Sequence, residues 1–243
     1  MQELKLPETL KRNVHEFVEN LKELYRDDLI SIALYGSAAS GEFIETHSNV
    51  NLLIILKNTN LPTLELSRKL VNKRSNRRIE PLFLSHEYLL NSGDVFPIEF
   101  LDMKENHTCL YGQDVLKEIK IDPKNLRFQC EQELKSKLIL LKQQYLKINP
   151  KDRTALANLL FRNLTSALHI LRNLVRLKGK RPSYKKEDVL KEVSLEFGVG
   201  SGAFFKILHA KKNSAALKAG DFKTLLAELT LELDKITEIV DKL

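Results

Sequence analysis

Apolar residues recur along the first half of the chain in two different rhythms. Leu10, Val14, Phe17, Val18, Leu21 and Leu24 mostly follow one another at steps of three and four, the spacing that lines one face of an α-helix. A helix starting near Pro7 is therefore predicted, since proline is well tolerated in a first turn. The run Leu29 to Tyr35 (LISIALY) is short, β-branched and apolar, and it stops at Gly36, as a strand does. Val50 to Leu56 (VNLLIIL) is apolar enough to be a central strand covered on both faces. Leu64 to Arg74 reads as a helix opened by Pro62, and Ile79 to Leu84 (IEPLFL) as a third strand, with Pro81 implying an edge or a bulge. Between Asn91 and Gly112 neither rhythm holds, and no element is assigned there.

From about Asp122 the alternation of strands and helices ends, and Asp122-Pro123 marks a plausible junction. One helix is predicted from about Leu126 to Ile148, stopped by Asn149-Pro150. A second opens at the cap-like Asp152 and carries Leu156, Leu160, Leu164, Leu168, Leu171 and Val175 to a stop at Gly179. Shorter helices cover Lys186 to Phe197 and Ala203 to Leu208, and a last one runs from Asp221 to Leu243. The expected architecture is α/β (α+β): a small mixed sheet in residues 1–121, followed by an all-α helical bundle in residues 122–243 that closes over a cleft.

Composition narrows the class. With 243 residues, 43% of them hydrophobic and 29% charged, the chain can bury a core and is not a disordered segment. Two cysteines cannot staple a secreted scaffold. Cys109 and Cys130 have no Cys or His at metal spacing and read as buried thiols. No run approaches the roughly 18 apolar residues of a membrane span, and charges at Glu3, Lys5 and Glu8 break up any signal peptide, so a cytoplasmic protein is expected. The net charge of +7 hides an asymmetry. Residues 1–121 carry 15 basic and 18 acidic side chains, whereas residues 122–243 carry 24 and 14. A basic second half favours phosphates or other anions as partners. Two basic runs without an acid, Arg68 to Arg78 and Arg176 to Lys186, point the same way, although a solvated helix end is the competing reading for each.

The segment Tyr35 to Leu56, YGSAASGEFIETHSNVNLLIIL, carries the candidate chemistry. A strand ends in Gly36-Ser37, a short small-residue stretch begins a helix, and a second strand opens with Asn49 and Asn51 on one face. Glycine permits close backbone approach to a phosphate, serine supplies a hydroxyl, and N–H groups at a helix start favour an anion. This arrangement resembles the nucleotidyltransferase superfamily, whose signature is an apolar strand, Gly-Ser, a spacer of about ten residues, and Asp-x-Asp or Asp-x-Glu on the next strand. It looks most like the compact bacterial type with a C-terminal helical domain, as in the aminoglycoside adenylyltransferases. The resemblance implies that Gly36 and Ser37 hold the terminal phosphates of a nucleoside triphosphate. It also places Glu80 where those enzymes carry a general base.

The departure from the pattern is at Asn49 and Asn51, which stand at the two metal-binding aspartate positions. Two neutral amides remove two negative charges from a site for a divalent cation, so magnesium should be held weakly at best. The expectation is a nucleotidyltransferase-like protein that binds a nucleotide or an anionic small molecule, with transferase activity weakened or lost. The alternative is an active adenylyltransferase using Glu80 as base, with Glu42, Glu45 or Asp102 replacing the missing carboxylates. His47 reads as a loop residue rather than a base. A basic half argues against a polycationic acceptor and leaves RNA or a protein partner as further candidates. Arg162 and His169 lie seven residues apart on one predicted helix and share a face, a loose match to the HEPN ribonucleases; a satisfied helix histidine explains it as well.

Overall fold

A computed structural model describes residues 6–41, 43, 45, 48–183, 185–212 and 221–243. The chain divides into two compact units, Met1–Asp122 and Pro123–Leu243. The first contains α1 (Glu8–Tyr25), β1 (Leu29–Tyr35), α2 (Ser37–Ser40), β2 (Val50–Leu56), α3 (Leu61–Glu65), α4 (Arg68–Val71), β3 (Ile79–Ser85), α5 (His86–Asn91), α6 (Pro97–Glu105) and β4 (His107–Gly112). The second contains α7 (Pro123–Lys147), α8 (Arg153–Leu177), α9 (Lys186–Phe197), α10 (Gly202–Lys212) and α11 (Asp221–Asp241).

The four strands form one mixed sheet in the order β3-β2-β1-β4. β1 pairs antiparallel with both β2 and β4, while β2 and β3 run parallel. Strand periodicity sorts the side chains to two faces. Ile32, Leu34, Leu52, Ile54 and Leu56 are buried in one core cluster with Leu10, Val14, Phe17 and Leu21 of α1. Ala33, Leu53 and Ile55 go to the other, with Leu89, Phe100, Met103 and Val115. β2 is thus central and covered on both faces, and β3 with Pro81 is an edge strand. A proline, which cannot donate to a ladder, is tolerated there.

Two parts of this unit differ from the sequence expectation. The helix predicted over residues 64–74 is instead two short pieces, α3 and α4, followed by a 3-10 turn at Arg74–Asn76. The Asn60 side chain accepts from Thr63 N–H at 2.9 Å and starts α3 early, and the buried Ser67 hydroxyl donates to the Leu64 carbonyl at 2.9 Å where the two pieces part. Local side-chain bonds of this kind compete with a continuous helix. The unassigned stretch holds α6 and the fourth strand. Cys109, expected to be buried, is half-buried on β4, an edge strand, with Sγ donating to the Tyr111 carbonyl at 3.5 Å.

The second unit is helical throughout its described residues. Asp152 caps α8 by accepting from Ala155 N–H at 2.9 Å, a contact worth about 1 kcal/mol in such positions. α8 supplies Leu156, Leu160, Leu164, Leu168 and Leu171 to the core, and α7, α9, α10 and α11 all pack on it. Cys130 of α7 is fully buried, which pushes its thiol up to about 12. No helix among the described residues is long and apolar enough to cross a membrane.

Candidate functional site

At the end of β1 the chain must leave an inner strand abruptly. Gly36 does this with φ 74° and ψ −148°, a region of backbone space that only glycine enters cheaply. A Cβ here would lie 3.0 Å from Asn51 Nδ2. The absent side chain therefore lets the Asn51 amide approach the turn. Ser37 opens the one-turn helix α2, closed by Ala39 and Ser40 N–H groups bonding the Gly36 carbonyl at 3.0 Å and by Gly41 in the left-handed conformation. A single turn has little macrodipole, so an anion at this point would depend on the Ser37 hydroxyl and individual N–H groups.

Strand register aligns the other candidates. Tyr35 of β1 lies opposite Asn51 of β2, and Asn51 lies opposite Glu80 of β3. On the far side Tyr35 pairs with His107 of β4. A row of polar side chains, His107, Tyr35, Asn51 and Glu80, thus crosses all four strands at one end of an otherwise apolar sheet. Just before β2, Asn49 Nδ2 donates to Glu80 Oε1 at 3.1 Å. Burial, and then the negative charge of Glu80, raise the Tyr35 phenol above its ordinary range. The structure therefore gathers Gly36, Asn49, Asn51 and Glu80, with Ser37 adjacent in the chain.

At the other end of the row, His107 Nε2 lies 2.7 Å from Asp114 Oδ1, and its Nδ1 lies 3.1 and 3.0 Å from the carbonyls of Met103 and Lys104. Burial pushes the Asp114 carboxyl upward, but hydrogen bonds from Lys117 and His107 outweigh it and leave the group below its ordinary range. Sequence reasoning missed this pair, because His107 lies in the stretch without a clear rhythm and Asp114 just beyond it.

The donor set suits a divalent cation poorly. Asn49, Asn51 and Glu80 offer a single carboxylate, and Asn49 turns its amide N–H toward it. Among the described residues no group of three or more His, Cys, Asp or Glu is placed to hold a metal ion. Hard cations such as magnesium take anionic oxygens, so these residues do not fit a dedicated metal centre. Of the proposed replacements, Glu45 is exposed in a turn and Asp102 sits on α6. Glu42 and His47 lie outside the described residues. Arg162 is exposed and His169 half-buried on α8.

The basic run at residues 68–78 is partly neutralised: Arg68 pairs with Glu65 at 2.8 Å and Lys73 with Glu16 at 2.6 Å. In the run at residues 176–186, Lys180 pairs with Glu196, and Lys178 lies over the Phe197 ring at 5.1 Å.

No family model matches the chain. The fold is nucleotidyltransferase-like. The spectinomycin adenyltransferase of Enterococcus faecialis, solved with ATP and spectinomycin, superposes with a TM-score of 0.58 over 92% of this chain and 99% of its own, at 13% identity. A nucleotidyltransferase-like protein from Exiguobacterium sibiricum gives a TM-score of 0.40 at 14% identity, over 94% of this chain and 75% of its own. In sequence, 59 residues are 44% identical to a proposed protein adenylyltransferase of Methanocaldococcus jannaschii. That match spans 24% of this chain and 38% of the relative's length.

Proposed function

We propose that the first unit is a nucleotide site of nucleotidyltransferase type in which metal-dependent transfer is weakened or lost. The hydrogen bond from Asn49 to Glu80 carries this reading. An aspartate at position 49 would set two carboxylates side by side and require a cation between them. The asparagine satisfies Glu80 without one. Gly36 and Ser37 would then receive the phosphates, with Asn51 closing on the turn. The net charge of +7 on the whole chain favours a nucleotide or other anion over a polycationic ligand.

Calorimetric titration with ATP, GTP, CTP and UTP, with and without Mg²⁺ or Mn²⁺, tests the reading. Binding that is largely indifferent to the cation is expected, and the N49D/N51D double variant should make it cation-dependent. Absence of binding to all four nucleotides would reject the site.

The match to a proposed protein adenylyltransferase favours a second reading, an active adenylyltransferase. In it an acceptor hydroxyl attacks the α-phosphorus of ATP, Glu80 takes the hydroxyl proton, and pyrophosphate leaves. Incubation with labelled ATP and candidate acceptors, proteins and RNA among them, tests this. Transfer that survives unchanged in E80Q rules out Glu80 as the base.

A further inference from the structure

The loop that presents Asn49 is fastened at three successive residues to the start of β3. Arg78 Nη2 donates to the Ser48 carbonyl at 2.6 Å, Glu80 accepts from Asn49 at 3.1 Å, and the Arg78 carbonyl accepts from Val50 N–H at 2.7 Å. Arg78 thus holds both neighbours of Asn49, one with its side chain and one with its backbone. Its guanidinium also lies over the Phe43 ring, 5.4 Å from the centroid. Phe43 packs in turn against the core cluster shared by α1 and the sheet. Phe43 and Ser48 lie toward opposite ends of the segment joining α2 to β2, so one side chain ties both.

Arginine suits this role. A guanidinium can donate to a carbonyl while its flat face rests on an aromatic ring, a combination that a lysine ammonium meets only in part. Two other cations of the same basic run, Arg68 and Lys73, are engaged by carboxylates instead. Holding residues 48–50 in place before a ligand arrives spares binding the entropy of ordering them.

We infer that Arg78 is a positioning residue that presets Asn49 against Glu80 in advance of ligand. The inference rests on the nucleotide-site reading for its effect on binding, whereas the clasp itself stands on the contacts above. Arg78 acts on Asn49 through Ser48, Val50 and Phe43.

Two variants test it, R78K and R78M, by amide hydrogen exchange over residues 48–52, by ATP titration and by thermal melting. Methionine keeps an unbranched stem and loses the charge and the donor. In R78M, exchange should accelerate and ATP should bind about tenfold more weakly, the scale of one lost charge-assisted hydrogen bond. R78K should restore most of both, with the two variants melting within a few degrees of each other. Unchanged exchange in R78M overturns the clasp. Faster exchange with unchanged ATP affinity overturns the positioning role. If R78K is as impaired as R78M and both melt earlier by the same amount, the side chain serves only packing and the inference fails. A wild-type protein that binds no nucleotide removes the site reading and the positioning role with it, while the exchange result still decides the clasp.

Discussion

Glycines with positive φ occur in both units, but they do different work there. In the first unit a Cβ on Gly112 would lie 2.0 Å from the Ile30 carbonyl oxygen, and one on Gly36 would lie 3.0 Å from Asn51 Nδ2. In the second unit Gly179 and Gly198 follow α8 and α9, and nothing lies within 4 Å of an added Cβ at either. The sheet unit needs glycine for room as well as conformation, because strands and turns bring backbone against backbone. At Gly179 and Gly198 the helical unit needs only the conformation that ends a helix.

The two cysteines should separate the units most widely. A thiol pushed up to about 12 from about 9 holds roughly a thousandfold less thiolate. Native protein should thus show one fast-reacting thiol, Cys109, and a second, Cys130, that reacts only on unfolding. Two fast thiols would mean that α7 opens readily. Next comes Gly112→Ala, expected to cost at least about 3 kcal/mol because a positive-φ strain is joined by a backbone clash. Gly179→Ala should cost only about 1 kcal/mol, the conformational term alone. Urea unfolding of both variants measures the gap, and equal costs would erase the contrast between units. Gly36→Ala should fall between them in stability while abolishing nucleotide binding, which calorimetry reads directly.

The smallest effect is a pH dependence in the second unit. Glu232 of α11 accepts from Ala203 N–H of α10 at 3.0 Å, and burial, then the nearby Glu228 charge, raise its carboxyl above the ordinary range against several backbone hydrogen bonds. The folded chain therefore binds this proton more tightly than the unfolded chain. Stability from this group is greatest below the ordinary carboxyl range and declines as pH rises through the raised value. Glu232→Gln keeps the acceptor and should flatten that decline in a urea series run from pH 4 to 7. An unchanged slope would assign it to other groups.

Much of the scaffold was legible because burial imposes a period. The α1 stripe, the leucines of α8 and the continuous apolar run of β2 each announce which face is covered. β4 was not legible, since HTCLYG is half-buried along most of its length and shows neither rhythm. The break between α3 and α4 was hidden because it depends on which acceptor the Ser67 hydroxyl chooses. At the candidate site, Asn49 and Asn51 could be picked out by their period-two spacing and Glu80 only by the family resemblance, while the register that sets Asn51 opposite Glu80 comes from the sheet. Arg78 could not be singled out from its basic run. Its partners lie about 30 residues away, and a guanidinium bound for a carbonyl looks in sequence like one bound for solvent.

The edge strand β3 also bears on how the protein behaves when concentrated. An edge strand offers free backbone groups on which a second molecule can build a sheet. On β3 the residues in question are Glu80, exposed and acidic, and Pro81, which lacks an N–H. Each discourages strand addition, the one by charge and the other by a missing donor. Replacing Glu80 to probe its proposed role would also unblock an edge, so variants with apolar side chains there should self-associate as the protein is concentrated.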